Sequence, residues 1–325
     1  MKKRRVLLFL YTIMSHSKNL GIVTVLYNAE RHIERFLDSL IRNQEVINHV
    51  IFVDNASKDN SLRHLLKLDG SITYEVISNE ENTGYSAAVN QGLSMLLTKN
   101  FEHILVTNND LEIKEQGLAI LLEDMEQARV DVIGIPTTND TEHYILGNSF
   151  NKKTGEINYR SVEKEVLEDL ITQTTTESSE YVQGGVVLFS KRFLQTIGLY
   201  DPFLFFGGDE LDFLLRITDS HSRFDIKCAI SLRAYNLFDH HTHHDGRFKL
   251  RKATMMIQGI VYVLLKHGCM PWSVQYRHTM HKLFQELGKK SFKRHLVLTI
   301  LYIRGLIVAS LYLLRHRSEN AHHNT

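Results

Sequence analysis

The sequence predicts an α/β protein with a mostly parallel central sheet flanked by helices, and three observations carry that expectation. Short apolar runs rich in β-branched residues alternate with stretches whose apolar residues recur at helical spacing. Three of those runs stop abruptly in polar residues, at Tyr27-Asn28, at Asp54-Asn55 and at Asn108-Asn109-Asp110. Right-handed crossovers bring such strand ends to one edge of a sheet, and open α/β sheets bind their ligands at that edge.

Taken in order, Leu20–Leu26 reads as a buried parallel strand. Residues 29–43 carry Ile33, Phe36, Leu37, Leu40 and Ile41 at helical spacing. Residues 49–53 form a second strand and 61–68 a short helix, with Asp59 and Ser61 supplying its cap and turn. Residues 74–78 form a third strand. Asn82-Thr83-Gly84 turns into a helix over 87–97, and the strand ending in Asn108-Asn109-Asp110 follows. A helix over 118–128 and a strand over 130–135 come next. The polar stretch 137–180 reads as irregular structure with a hairpin around Lys153-Thr154-Gly155. Gly184-Gly185 lead into a buried strand, 191–197 is a helix, and Gly207-Gly208 precede a helix over 211–218.

Four groups carry candidate chemistry. A carboxylate fixed at a strand end suits a hard divalent cation shared with phosphate oxygens. Asp110 therefore points to a nucleotide-phosphate and metal site, the alternative being an ordinary polar turn. Asp54 is placed to accept a hydrogen bond from a nucleobase or a ribose hydroxyl, or else serves the turn. Asp209, Glu210 and Asp212 are more acid than a helix N-terminus needs, and point to a catalytic base in a confined site. One of His240, His241, His243 and His244 can offer imidazole to a metal, or the four form a solvated loop.

Other classes are disfavoured. No G-x-G-x-x-G follows the first strand, which counts against a dinucleotide oxidoreductase. A net charge of +1 gives no global field for nucleic acid. The two cysteines, Cys228 and Cys269, form no Cys-x-x-Cys pair, which argues against a zinc ribbon or disulfide framework and suits a reducing cytoplasm.

Together these segments resemble the family 2 glycosyltransferases of the GT-A (nucleotide-diphospho-sugar transferase) fold, and among them the rhamnosyltransferase-like branch. The likeness spans residues 20–246. It rests on Val25-Leu26-Tyr27-Asn28, Val53 to Asp59, Asn82-Thr83-Gly84 with Asn90-Gln91-Gly92, Asn108-Asn109-Asp110, Gly184-Gly185, Asp201-Pro202, and Asp209-Glu210-Leu211-Asp212 with Arg216. The resemblance implies an inverting transfer of a sugar, rhamnose favoured, from a dTDP- or UDP-sugar donor with Mg2+ or Mn2+. The acceptor would be a glycan or lipid-linked saccharide in bacterial cell-surface polysaccharide synthesis. Galactosyl-, N-acetylglucosaminyl- and galactofuranosyltransferases share the fold, and a catalytically degenerate carbohydrate-binding or assembly subunit is the non-enzymatic alternative.

The resemblance further implies a nucleotide-sugar site of Leu26, Tyr27, Asn28, Asp54, Asn82, Gly84, Asn90, Asn109, Gly184 and Gly185. It gives Asp110 and His243 to the metal, and Glu210 the role of base with Asp209 and Asp212 beside it. Two departures stand out. Asn108 replaces the first acid of the family's D-x-D metal motif. Asp209-Glu210-x-Asp212 swaps the first two acids of its Glu-Asp-x-Asp, which leaves Asp209 open as the base.

The ends read differently. Residues 1–18 form a basic and apolar lead whose apolar run is short for an export signal and is followed by a poor cleavage site. Residues 19–246 are expected to form the GT-A domain and 247–325 a helical extension. Residues 296–314 are apolar apart from Arg304 and Gly305, with Lys289, Lys290, Lys293, Arg294, Arg315 and Arg317 around them. The run is long enough for a bilayer core, but an arginine near its centre is costly there. A helix peripheral on the cytoplasmic face of the cell membrane is expected, with packing on the protein or a homodimer contact as the alternative.

Overall fold

The computed structural model describes residues 19–136, 143–151, 156–182, 184–220, 223–230, 232, 235–236, 246–269 and 292–322. Its strands are β1 (Leu20–Leu26), β2 (Ile47–Asp54), β3 (Tyr74–Ser78), β4 (His103–Thr107), β5 (Leu111–Glu112), β6 (Val132–Gly134), β7 (His143–Asn151), β8 (Glu156–Glu163), β9 (Thr176–Ser178), β10 (Val186–Ser190), β11 (Ile226–Ala229) and β12 (Tyr235–Asn236). Its helices are α1 (Ile33–Ile41), α2 (Ser61–His64, continued by a 3-10 turn over Leu65–Leu68), α3 (Tyr85–Thr98), α4 (Gly117–Ala128), α5 (Lys164–Gln173), α6 (Lys191–Ile197), α7 (Asp209–Asp219), α8 (Gly246–Lys266) and α9 (Phe292–His322).

Eight strands pair in the order β3-β2-β1-β4-β10-β6-β11-β9. β3, β2, β1 and β4 run parallel, and β10 runs antiparallel to both β4 and β6. That reversal matters for the site. A strand running the other way starts at the edge where the parallel strands finish, so Gly184-Gly185 meet the end of β4. The Asn108 N–H donates to the Gly185 carbonyl at 2.9 Å.

Every residue of β1 is buried, as expected for a strand covered on both faces. Its alternating side chains feed two cores. Ile22 and Leu26 join Phe36, Leu37 and Leu40 of α1 and Leu118 and Leu121 of α4. Val23 and Val25 join Val89 and Leu93 of α3, Phe193 of α6 and Phe213 of α7. A third core ties α7 to the last two helices through Leu211, Leu215, Ile257, Val261, Leu264, Tyr302 and Ala309. α3 lies close on the sheet at Gly92, where a Cβ would stand 2.6 Å from Val23 Cγ1.

The structure departs from the sequence expectations in three places. The stretch 137–180 holds the expected hairpin, formed by β7 and β8, but also α5 and β9 where irregular structure was expected. Its helical signal is weak because α5 buries only Leu167 and is otherwise mostly polar. α7 begins at Asp209, two residues earlier than the apolar pattern suggested, so the acids form its first turn. Among the described residues no helix is long and apolar enough to cross a membrane. The N-terminal lead, the turn Lys153-Thr154-Gly155 and the four clustered histidines lie outside the described residues.

Val23 has no exposed surface, so it has nowhere to move if Gly92 gains a side chain. Gly92→Val should lower the stability by about 1–3 kcal/mol in urea unfolding, the usual cost of overpacking. An unchanged midpoint would contradict the close approach of α3 to β1.

Candidate active site

β1, β2 and β4 deliver their ends to one edge, with Leu26 paired to Asp54 and Val23 to Val106. The loops after β1 and β2 are zipped together. The Asn28 N–H donates to Ser57 Oγ at 3.0 Å and the Lys58 N–H to Asn28 Oδ1 at 2.8 Å. The Ala29 N–H donates to Ser61 Oγ at 2.7 Å and the Glu30 N–H to Asp59 Oδ2 at 3.0 Å. Asn28 takes φ 52, a left-handed conformation that asparagine tolerates. Tyr27 is left 52% exposed, while Asp54 at 5% is buried and accepts the Ser57 N–H at 3.3 Å.

Asn55 organises the next turn. Its Nδ2 donates to Asn82 Oδ1 at 3.0 Å and to the Gly84 carbonyl at 3.2 Å. Its Oδ1 accepts from the Thr83 N–H at 3.0 Å and from Asn79 Nδ2 at 3.2 Å. Gly84 sits at φ +89, and a Cβ there would stand 2.8 Å from Phe205 Cα. The Tyr85 N–H then donates to the Phe205 carbonyl at 2.9 Å. The turn after β3 is thus pressed against the loop that leads into α7.

At the head of α7, Glu210 Oε1 accepts the Gly184 N–H at 2.6 Å. Close by, the Tyr85 hydroxyl donates to Asn108 Oδ1 at 3.2 Å. Burial raises the Tyr85 phenol far above its ordinary range, and the charges of Asp209, Asp110 and Glu210 add to the effect. One phenol therefore feels all three acids, the strand-end carboxylate and the first two of the helix. Burial also pushes the Asp209 carboxyl up to about 6, opposed by a hydrogen bond from its own backbone N–H and helped by the Asp212 charge.

Asp212 is different. It has no exposed surface. Its Oδ2 accepts from Arg216 Nε at 2.7 Å, and its Oδ1 from Lys266 Nζ at 2.7 Å and His267 Nε2 at 3.0 Å. Burial alone would raise its carboxyl, but the His267 hydrogen bond and the Arg216 and Lys266 charges hold it far below the usual carboxylate range. Lys266 also meets Asp201 Oδ2 at 2.7 Å, and Arg216 Nη1 donates to the Ile197 carbonyl at 2.7 Å.

Residues 21–198, more than half of the chain, match the sequence profile of Glycosyl transferase family 2. The chain belongs to that family. No curated protein sequence matches it significantly. Solved structures share the fold at low identity. GalNAc-T7 with UDP, GalNAc and Mn2+ superposes with a TM-score of 0.57 at 12% identity, over 83% of this chain and 58% of its own. Staphylococcus aureus TarS 1-349 gives 0.54 at 14%, over 90% and 80%. The mannosyltransferase PcManGT from Pyrobaculum calidifontis, with GDP-Man and Mn2+, gives 0.52 at 13%, over 96% and 82%. This family 2 chain thus spans less than two thirds of GalNAc-T7 and about four fifths of the other two. The sheet, its flanking helices and the helical C-terminal region are those of the GT-A fold.

The expected site residues separate into three sets. Leu26, Tyr27, Asn28, Asp54, Asn82 and Gly84 gather around the ends of β1 and β2. Asn109, Asp110, Gly184, Gly185, Asp209 and Glu210 gather around the end of β4. Asn90 and Asp212 face elsewhere. Asn90 is bonded to both backbone groups of Tyr200, at 2.7 and 3.0 Å, and Asp212 is closed in by its cations. Asn109 spends its side chain within the fold, Nδ2 on the Val25 carbonyl and Oδ1 against His32 Nε2, both at 2.5 Å. His32, Asn55 and Tyr85 were not among the expected residues. Asn55 directly follows Asp54 and carried the one available signal, a second polar residue at a strand end.

Among the described residues no group of three or more His, Cys, Asp and Glu could hold a metal, and His243 lies outside those residues. Mg2+ and Mn2+ bound with a diphosphate commonly use one or two protein carboxylates, the remaining ligands being phosphate oxygens and water. A lone strand-end Asp110 fits such an ion.

The two helix acids make opposite contributions to stability. A carboxyl whose folded pKa is raised favours the fold when protonated, so stability falls as the pH climbs from about 4 to about 6 and then levels. Asp209→Asn should therefore melt above wild type at pH 7, by on the order of 1–2 kcal/mol, and converge with it below pH 4. Asp212, with its pKa depressed, stabilises above about pH 4 and loses that contribution on acidification. Asp212→Asn should cost about 1–3 kcal/mol at pH 7 because it removes a buried charged acceptor from the partly buried Arg216 and Lys266. Melting curves between pH 2 and 8 check both signs. A less stable Asp209→Asn at pH 7 would contradict the first, and an unperturbed Asp212→Asn the second.

Proposed function

We propose that this family 2 chain is an inverting glycosyltransferase. It would move a sugar, rhamnose favoured, from a dTDP- or UDP-sugar to a glycan or lipid-linked saccharide in bacterial cell-surface polysaccharide synthesis. The observation that carries the reading is the Gly184-Gly185 pair, which meets the strand end leading to Asp110 through the 2.9 Å Asn108–Gly185 bond and Glu210 through the 2.6 Å Gly184 bond. An acceptor hydroxyl is a poor nucleophile, and a carboxylate that takes its proton during attack supplies what is missing. Direct displacement needs the proton acceptor and the leaving diphosphate on opposite sides of the sugar, and no covalent nucleophile.

In this scheme Tyr27, Asn28 and Asp54 hold the nucleoside, and Asn82 with Gly84 shapes the turn beside it. Asp110 would hold a divalent cation, and the family resemblance offers His243 as its second protein ligand. The cation, when bound, offsets charge developing on the leaving diphosphate. Glu210 is the base, by its place in the acid motif. Asp209 at its side assists when ionised, above about pH 6. Asp212 positions the helix. UDP in the GalNAc-T7 structure, UDP-GlcNAc in a TarS structure and Mn2+ in two of the neighbours support a nucleotide-sugar donor and a divalent cation.

Binding measured with dTDP, UDP and GDP, each with and without Mn2+, should show metal-dependent affinity that Asp110→Asn weakens. Unchanged metal dependence in that variant would remove Asp110 from the role. Glu210→Gln should lose about 10²–10⁴-fold in turnover at every pH while it binds the nucleotide as wild type does. Asp209→Asn should be milder and should erase an acid limb near pH 6 in the rate profile. If Asp209→Asn abolishes turnover and Glu210→Gln does not, the two acids exchange roles.

A further inference from the structure

α9 packs on α8 along one side only. Tyr302 and Ala309 are buried there, and at Gly305 a Cβ would stand 3.5 Å from Ile257 and 3.6 Å from Gln258. The opposite side carries Ile300, Ile303, Ile307, Val308, Leu311 and Leu314, between 36% and 63% exposed. Their spacing of three and four residues puts them on one face of the helix. The stripe is about 21 Å long at the helical rise of about 1.5 Å per residue. Exposed Arg304 and Arg315 fall within the same stripe.

Charge selects the occupant. Residues 246–317 hold 14 Lys and Arg and one acid, Glu286, although the whole chain holds 38 basic residues against 37 acidic ones. The C-terminal stretch is therefore strongly basic and the remainder of the chain acidic. A second copy of the same stripe would bring Arg304 and Arg315 against their own counterparts, which opposes self-association. An anionic lipid surface accepts the apolar stripe and neutralises the arginines together. The basic region also borders the site, since Lys252 of α8 lies 5.2 Å from the ring centre of Phe206, three residues before Asp209.

We propose that the exposed face of α9 is a docking surface for an anionic bilayer, lying in its interface and presenting the head of α7 toward it. This surface stands apart from the transfer chemistry, and its test does not use turnover. The full chain is mixed with vesicles of phosphatidylglycerol and phosphatidylcholine, or of phosphatidylcholine alone, and floated on a density gradient at low and high salt. The chain should float with the anionic vesicles and stay behind with the neutral ones. Ile307→Ser with Leu311→Ser should lower the bound fraction at least about tenfold, from the apolar area lost, with an unchanged melting midpoint. Arg304→Glu with Arg315→Glu should lower it comparably and weaken its salt dependence. Equal flotation with neutral vesicles, or binding that survives both double variants, would overturn the proposal. So would a dimer in light scattering that the Ile307→Ser, Leu311→Ser variant dissolves while no vesicle binds.

Discussion

Asp212 is a carboxylate without solvent, and it persists because two cationic side chains and a histidine reach it. Arg216 binds it from the same helix, and Lys266 and His267 from the end of α8. Replacing such a group leaves partly buried charge uncompensated, which is why an ion cluster of this kind holds helices in one arrangement even when its net stabilisation is small. Lys266 extends the cluster to Asp201, and Arg216 extends it to the carbonyl of Ile197 at the end of α6. α7 is thereby pinned between the sheet domain and the C-terminal helices, and its first turn cannot drift from the end of β4.

That restraint separates three neighbouring acids by environment. Asp212 is held ionised by its partners. Asp209, one turn earlier, has burial and the Asp212 charge working against its ionisation. Glu210 points to the Gly184 N–H instead, because α7 advances by about 100° per residue and adjacent side chains diverge. The reversed strand β10 is what makes that donor available. Had β10 run parallel to β4, its glycine entry would lie at the far edge of the sheet.

Much of this was legible in the chain. The apolar runs of β1, β2 and β4 are unbroken and end sharply, so both the sheet and the edge where its polar strand ends gather could be read from period and polarity. The family order of motifs located the acids of α7. Three things were not legible. The reversal of β10 has no local signature, since a buried strand reads the same in either direction. α5 hides in a polar stretch because it buries a single leucine. The roles of Asn90, Asn109 and Asp212 depend on partners more than 50 residues away in each case, Tyr200, Val25 and Lys266. Motif spacing marked them as site residues, whereas long-range hydrogen bonds turn their side chains inward.

The central claim is that the nucleotide edge at Asp54, the strand end at Asp110 and the acid pair of α7 form one site. A crystal structure with UDP or dTDP and Mn2+ tests it most directly. The account predicts the base beside Asp54 and Tyr27, the diphosphate and ion at Asp110, and Glu210 across the open space where a sugar would sit. A nucleotide bound away from that edge, or an ion that leaves Asp110 untouched, would contradict it.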